Sequence, residues 1–511
     1  MVAKTFQGLE GVLADELVAL GAQDVTQGKR MVSFNGTLET LYKANFCCRT
    51  ALRILKPIYK FRSSDADDLY EQVKQFDWTQ YLSAKKTFAI DTTVYSENFR
   101  HSRFVTYRVK DAIVDFFNER EGSRPSIRIK GADVEFNVHI SGDEVTISLD
   151  SSGAPLYKRG WRVAQTEAPI NEVLAAGIIK LSGWDGQCDF IDPMCGSGTF
   201  LIEAAMIAAN INPGVFRREF AFQNWADYDA DLFEEIYNDD SQEREFKHKI
   251  YGYDIAVQAI AIAEANVKSA GVGKMIELQQ RALADWEEAP AGGIVITNPP
   301  YGERLKYQDI NVLYETLGTK LKHVFKGYDA WVISYGELTD LIGLRPSVHY
   351  PLLNGDLECE LRQYKIFDGS YKEMKTAGGS LRNEGFRAAD KDRGARRPRF
   401  EETFKDGKEG DEKPRGRKPF RKDGDSKPFR KDGDRKPFRK DGDRRPFRGD
   451  RKDGDDRPRR REGRNHMDRD EFFHSELHAK SVLRHQGPTL GKEAERPIIK
   501  GRRNGWKRRD E

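Results

Sequence analysis

Residues 188–210, CDFIDPMCGSGTFLIEAAMIAAN, change character twice in a short span. Cys188–Asp192 is a short apolar run of strand type. The turn that follows holds Gly196 and Gly198, and from Thr199 onward apolar residues recur at helical spacing. Strand, glycine turn and helix in that order open a parallel βα unit, in which ligands sit at the carboxyl ends of strands and glycines let the backbone approach them. Two glycines one residue apart are weak evidence alone, because any tight strand-to-helix turn uses them. The pattern recurs, however. KIYGYD, MIELQQ, GGIVITN and DAWVISYG are strand-like, with helical stretches such as IAVQAIAIAEANVKSAG between them. Residues from about 160 to 370 are therefore expected to form an α/β region with a mostly parallel sheet covered on both faces. It ends in SVHYPLLNGDLECELRQYKIF, two strand-like runs around Asn354-Gly355, a strong hairpin signal.

Three acids fall at successive strand tips. Asp192 ends the first strand, Asp254 ends KIYGYD, and Asp285 follows the third strand in RALADW. Asp254 is placed to accept from the two hydroxyls of a ribose, and Asp285 from an exocyclic adenine amine. Asp after a strand is also a common helix N-cap. Recurrence around one glycine turn favours a nucleoside-bearing cofactor. The turn lacks the Lys-Ser/Thr of a phosphate loop, so the expected cofactor is S-adenosylmethionine rather than a nucleotide triphosphate.

The fourth strand runs into TNPPYGERL, residues 297–305. Each proline removes a backbone donor, so a central strand is not expected to end this way unless the loop has a task. Consecutive prolines hold the chain in a fixed extended path and leave carbonyls outside any helix. The Asn298 side-chain oxygen and the Pro299 carbonyl, stiffened by Pro300, can together accept two hydrogen bonds from one planar amine, and Tyr301 offers a ring on which a base can stack. An exocyclic amine is a poor nucleophile because its lone pair is delocalised, and two acceptors on its protons return density to the nitrogen. Positioning of this kind contributes several kcal/mol. The simpler reading is a Pro-Pro cap on a strand, which leaves Asn298 and Tyr301 unaccounted for. A base reaches such a loop flipped out or already unpaired.

Composition sets the setting. The sequence of 511 residues has a net charge of +3, but residues 375–511 carry 44 Lys+Arg against 28 Asp+Glu, leaving 41 against 54 in residues 1–374. A mildly acidic body with a basic tail points to a polyanionic partner such as RNA. Within the tail, KPFRKDGDS, KPFRKDGDR and KPFRKDGDR repeat every nine residues before RPFRGDR, and hydrophobic periodicity is lost. That composition predicts a disordered segment, with Phe420, Phe429, Phe438 and Phe447 among cations suited to sequence-tolerant RNA contact. A purely solvating tail is the plainer alternative. The five cysteines, Cys47, Cys48, Cys188, Cys195 and Cys359, lack metal-ligand spacing, so neither a zinc site nor a disulfide framework is expected. Glu10, Asp15 and Glu16 occupy the first helix-like segment, where a leader would be apolar. A soluble cytoplasmic protein is expected, with no membrane partner.

The first 160 residues read as an α+β arrangement. GLEGVLADELVAL and FVTYRVKDAIVDFFNER are helical by spacing, KTFAIDTTVYS is strand-like, and VEFNVHISGDEVTISLD alternates about Ser141-Gly142-Asp143 as a hairpin does. Lys85, Lys86, Arg100, Arg103, Arg108 and Lys110 either form a basic face or are scattered solvated charges.

DPMCGSGTFLIEAA, GYDI, TNPPYGERL and NGDLECEL, in that order, together with YKRGWRVAQTEAPINEVLAA, resemble the THUMP-containing ribosomal RNA guanine-N2 methyltransferases of bacteria. The resemblance covers nearly all of residues 1–370. It implies a ferredoxin-like subdomain over 1–60, a THUMP RNA-binding domain over 61–160, a Rossmann-like class I methyltransferase domain over 161–374, and the repeat tail over 375–511. By similarity Asp192, Cys195, Gly196, Gly198 and Thr199 line the methionine end of S-adenosylmethionine, Asp254 the ribose and Asp285 the adenine, while Asn298, Pro299, Pro300 and Tyr301 hold the target guanine amine. Ala168–Asn171 matches a segment packing near the cofactor. Some relatives carry a second methyltransferase domain, and its activity is expected to be absent here. Residues 210–248 lengthen the gap between Gly198 and Asp254. Phe220, Phe222 and Trp225 in that segment fit core packing better than base stacking. A tRNA guanine-N2 methyltransferase, a DNA adenine methyltransferase and an inactive RNA-binding protein are the competing readings.

Overall fold

A computed structural model of the chain describes residues 1–290, 292–301, 307–355 and 357–367. The repeat tail expected over 375–511 and residues 302–306 of the loop after the fourth strand lie outside the described residues. Two sheets organise what is described.

The first sheet has eight strands, β1 (Val2–Lys4), β2 (Gln23–Gly28), β3 (Met31–Asn35), β4 (Arg53–Arg62), β5 (Thr87–Tyr95), β6 (Ser126–Ile127), β7 (Val134–Ser141) and β8 (Glu144–Asp150). Their order is β2-β3-β1-β4-β8-β7-β5-β6. The predicted hairpin is β7–β8, turning through Gly142 with Ser141 opposite Glu144. Strand β4 pairs with β1 on one edge and β8 on the other, so the boundary expected at residue 60 falls inside a strand and the two N-terminal pieces share one sheet. Helices Glu10–Ala19, Leu38–Cys47, Ala66–Gln75 and Ser102–Glu121 cover it.

The second sheet comprises β9 (Phe190–Asp192), β10 (Ile250–Asp254), β11 (Ile276–Gln280), β12 (Ile294–Thr297), β13 (Asp329–Ser334), β14 (Val348–Asn354) and β15 (Leu357–Lys365), in the order β11-β10-β9-β12-β13-β15-β14. All five strand candidates and the hairpin are present. The first five strands are parallel, and β15 runs antiparallel to both β13 and β14. Ile191, Val295 and Ile296 are fully buried, as strands covered on both faces require. The chain steps outward from β9 through β10 to β11, then returns to add β12 on the other side of β9. This switch point is where an open α/β sheet leaves a crevice.

The segment 210–248 does not extend the second sheet. Phe220, Phe222, Trp225, Phe233 and Ile236 are buried in the same hydrophobic cluster as the first sheet. The Phe222 ring stacks on Tyr42 at 4.4 Å, and the Tyr42 hydroxyl accepts from the Asp229 amide at 2.9 Å. In the reverse direction, Leu9 belongs to the core of the second sheet. Between the halves, Arg159 and Glu203, 2% and 0% exposed, form an ion pair at 3.2 Å. The Arg159 guanidinium also donates to the carbonyls of Arg49 at 2.5 Å and Leu156 at 3.1 Å.

Several of the cations considered for a basic face are engaged within the protein. Arg108 pairs with Asp67 at 2.7 Å and packs over Tyr70, Lys110 pairs with Asp111, and Lys86 donates to the Asn224 carbonyl at 2.8 Å. Among the described residues no helix is long and apolar enough to cross a membrane, and all five cysteines are free thiols.

Candidate active site

The carboxyl ends of β9, β10 and β12 surround a cavity of about 610 Å³, in the range that encloses a drug-sized ligand. Asp192 stands at the tip of β9, 2% exposed. One of its oxygens accepts from the Met194 amide at 3.1 Å and the Thr297 hydroxyl at 2.7 Å. Burial pushes its carboxyl up to about 7, against the pull of those two donors, and nearby Asp254 adds to the rise. The turn after β9 is pinned to β10 by the Cys195 amide, which donates to the Tyr253 carbonyl at 2.8 Å. Gly196 and Gly198 have φ of 52° and 78°, the left-handed region that glycine enters without strain. A side chain at Gly198 would also meet Ala263 at 3.2 Å. Burial holds the Cys195 thiol well above its ordinary range, so it contributes packing rather than nucleophilicity.

Asp254, at the tip of β10, accepts from the Gly196 amide at 3.0 Å through one oxygen and from Ala256 at 2.9 Å through the other. It therefore ties the glycine turn to β10 while facing the cavity, which it helps line. Thr199 begins the helix Thr199–Ala208 and lines the same wall. Asp285 is placed differently from the sequence-based expectation. Its neighbours Ala282, Leu283 and Ala284 line the cavity, but Asp285 ends a short 3₁₀ turn with its side chain exposed outside the lining.

Of the loop after β12, Asn298 and Pro300 line the cavity. The Oδ1 of Asn298 is buried with no hydrogen-bond partner among the described residues. The Pro300 carbonyl accepts from the Tyr314 hydroxyl at 3.5 Å, and that hydroxyl also bonds Ser334. Pro299 is buried and outside the lining. Tyr301 corrects a second expectation: it is 2% exposed, its ring lies edge-on to Tyr335 at 5.3 Å, and its hydroxyl accepts from Asn354 at 2.5 Å. It braces the loop from below instead of offering an open stacking face. This contact also explains the hairpin, since Asn354 at its turn is what reaches Tyr301.

Two groups escaped the sequence reading. Asn266, fully buried, accepts from the Val163 and Ala164 amides at 2.9 and 3.1 Å and donates to the Ala164 and Ser197 carbonyls at 2.8 and 3.0 Å. It clamps the approach segment 163–166 against the glycine turn. A polar residue among the buried positions Ala259, Ile260, Ala263 and Val267 of one helix was the signal available. Asn171 is the other, for its role alone: named within Ala168–Asn171 as part of a segment near the cofactor, it caps the helix Glu172–Ser182 through the Val173 amide at 2.9 Å, next to the cavity-lining Ala168, Pro169 and Ile170.

A Rossmann-like sheet with this strand order, a glycine turn beneath a nucleoside-sized cavity and an Asn-Pro-Pro-Tyr loop at its rim define an S-adenosylmethionine-dependent methyltransferase. Comparison with known proteins gives the family. Residues 159–363 match the "RMKL-like, methyltransferase domain", 63–150 the THUMP domain, and 1–55 the "RlmL ferredoxin-like domain". The chain belongs to the RMKL-like methyltransferase family, in the arrangement that places a ferredoxin-like and a THUMP domain ahead of the catalytic one. It is 40% identical over 374 residues to the ribosomal RNA large subunit methyltransferase K/L of Syntrophotalea carbinolica, covering 70% of this chain and 52% of that protein. A Synechocystis protein named as an RNA methyltransferase, slr0064, is 37% identical over 369 residues, covering 71% of this chain and 96% of the relative. The solved structure of SMU.472, named as a methyltransferase and complexed with SAH, superposes with a TM-score of 0.64 at 30% identity, over 72% of this chain and 98% of that one. The chain spans about half the length of the K/L relatives it matches.

Proposed function

We propose that the protein transfers a methyl group from S-adenosylmethionine to the exocyclic N2 amine of a guanine in large-subunit ribosomal RNA. One observation carries the reading: the Asn298 Oδ1 is buried at the cavity wall with no partner. A buried carbonyl oxygen left without a donor is unfavourable, and a planar amine entering beside the cavity satisfies it. The cavity suits the cofactor, because the glycine turn lets backbone approach closely and Asp254 faces the space a ribose would take. When bound, S-adenosylmethionine supplies an electrophilic methyl group on a sulfonium. The chain's own residues do the rest. Asp192 holds the methionine ammonium, Asp254 the ribose, and the 282–284 segment flanks the adenine in place of the Asp285 carboxylate. The Asn298 oxygen and the Pro299 carbonyl accept hydrogen bonds from the two amine N–H groups and aim the nitrogen lone pair, with Pro300 and Tyr301 keeping the loop rigid; the nitrogen gains the methyl as the sulfonium carbon–sulfur bond breaks, and one amine proton then leaves to water. RNA as substrate is supported by the THUMP match, and the ribosomal choice by the names of the K/L relatives. Incubating deproteinised ribosomal RNA and total tRNA with labelled cofactor, then mapping the modified nucleotide, tests it. N2-methylguanine in large-subunit RNA is expected; label confined to tRNA or on adenine refutes it.

Asp192 makes cofactor affinity depend on pH. Its folded-state carboxyl stands near 7, above the ordinary 3.8, so its protonated form stabilises the cofactor-free fold at low pH and that contribution is lost as pH rises through about 7. An ammonium beside it favours the ionised form, so binding below pH 7 must expel a proton. Affinity should rise from pH 5.5 to 7 with a slope approaching about tenfold per unit, then level off. Calorimetry in buffers of different ionisation enthalpy should register the released proton, and Asp192→Asn should flatten the profile.

A further inference from the structure

The cavity wall is unbalanced in charge. Its described lining includes three carboxylates, Asp192, Asp254 and Asp309, and no lysine or arginine. The methionine arm of S-adenosylmethionine carries a carboxylate as well as an ammonium, and a carboxylate leaving water needs charge-assisted donors in return. One guanidinium stands directly behind the wall. Arg162 donates from Nε to Glu172 at 2.7 Å and from Nη2 to the Thr199 hydroxyl at 2.9 Å. Its Nη1 is buried with no hydrogen-bond partner among the described residues. The guanidinium lies over the Trp161 ring, 4.9 Å from the centroid, and Glu172 is 5% exposed, so the arginine is held on two sides.

The direction of the bond to Thr199 matters. Its oxygen accepts from Arg162, so its own hydroxyl proton is left to donate elsewhere, and Thr199 lines the cavity at the first position of its helix. Positive charge on the guanidinium polarises that hydroxyl and makes it a stronger donor. Thr199 also opens its helix, whose amino end carries partial positive charge that favours an anion.

We propose that Arg162 and Thr199 form the element that recognises the carboxylate of the cofactor's methionine arm, Thr199 as the contacting donor and Arg162 as the positioning residue that charges it. The inference rests on the proposed cofactor reading. It gives YKRGWR, residues 157–162, a task in the cofactor site. Glu172 then aligns Arg162 without touching ligand, and Asp192 and Arg162 read the two ends of the same zwitterion.

The test is a carboxylate-selective binding measurement on the full chain. Calorimetry compares S-adenosylmethionine with its decarboxylated analogue. The unaltered protein should prefer the carboxylate form by about 10- to 100-fold, the range for a hydrogen bond to a charged group. Arg162→Met should weaken S-adenosylmethionine and leave the analogue unchanged, bringing the preference to within about threefold. Because Arg162→Met strands Glu172, two further variants guard against misfolding: Arg162→Met with Glu172→Gln, and Thr199→Val, which deletes the donor and keeps the ion pair. Both should lose the preference, and Thr199→Ser should restore it. Variants that melt like the parent yet keep full selectivity overturn the inference, as does equal weakening of both ligands, which marks a structural role only. An unaltered protein that binds neither ligand refutes the cofactor reading and the inference with it. One that binds both equally refutes the inference alone.

Discussion

Asn298→Ala should reduce methyl transfer by about two to three orders of magnitude, the loss typical of removing one preorganised hydrogen-bonding group from a reacting centre. Cofactor affinity should stay within about twofold, because Asn298 is assigned to the acceptor base. The structure adds a second expectation that runs the other way. In the free protein the Asn298 Oδ1 is buried and unpartnered, so deleting it removes an unfavourable burial. The thermal midpoint of Asn298→Ala should therefore hold or rise while turnover collapses, the signature of a group retained for chemistry at the expense of stability. Rates measured at saturating RNA and cofactor, beside a melting curve, decide the matter. Turnover within fivefold of the parent would mean that the oxygen does not grip the amine. A midpoint falling by several degrees would mean that Asn298 has an internal partner.

Arg159→Ala should destabilise the fold by about 3–5 kcal/mol, the usual effect of leaving a buried charge without its partner. Glu203 is fully buried on the helix behind the glycine turn, and burial raises its carboxyl above the ordinary range even with Arg159 and Arg49 nearby to lower it. Removing Arg159 leaves that carboxylate unpaired and two carbonyls, of Arg49 and Leu156, without their donor. Replacing both partners, Arg159→Met with Glu203→Leu, should recover part of the loss, because it removes the stranded carboxylate while the Arg49 and Leu156 carbonyls stay without their donor and Arg49 loses Glu203 nearby. Chemical denaturation of the two singles and the double gives the coupling directly. If the losses of the singles simply add in the double, the pair is not acting as a unit.

Much of this arrangement was legible in the sequence, for reasons that differ by element. Strands covered on both faces announce themselves as short apolar runs, so GGIVITN and DAWVISYG were readable locally. Asp192, Gly196, Asp254 and Asn298 line one cavity, and each sits at or just past a strand end, which a linear pattern can mark. Asp285 also sits near a strand end, but it ends a 3₁₀ turn and stands exposed outside the lining, a placement no periodicity reports. Tyr301 was misplaced because its environment is supplied by Asn354 and Cys359, more than 50 residues along the chain. The inserted segment posed the same difficulty. Phe220, Phe222 and Trp225 read correctly as core residues, but nothing local says that the core they enter belongs to the other sheet. Strand β4 hides a boundary for the opposite reason, since it continues without a break through the point where two modules meet.

The exchange of side chains between the two halves has a consequence for how the protein can be divided. The segment between β9 and β10 gives Phe220, Phe222, Trp225 and Phe233 to the amino-terminal core while Phe216 and Phe246 pack on the core of the second sheet, which Leu9 joins in return. Cutting the chain near residue 160 leaves each fragment with a hole where the other's residues belonged and a sticky apolar surface where its own protruded. A recognition module lifted from this chain would therefore need its Phe220–Ile236 stretch along with the amino-terminal sheet.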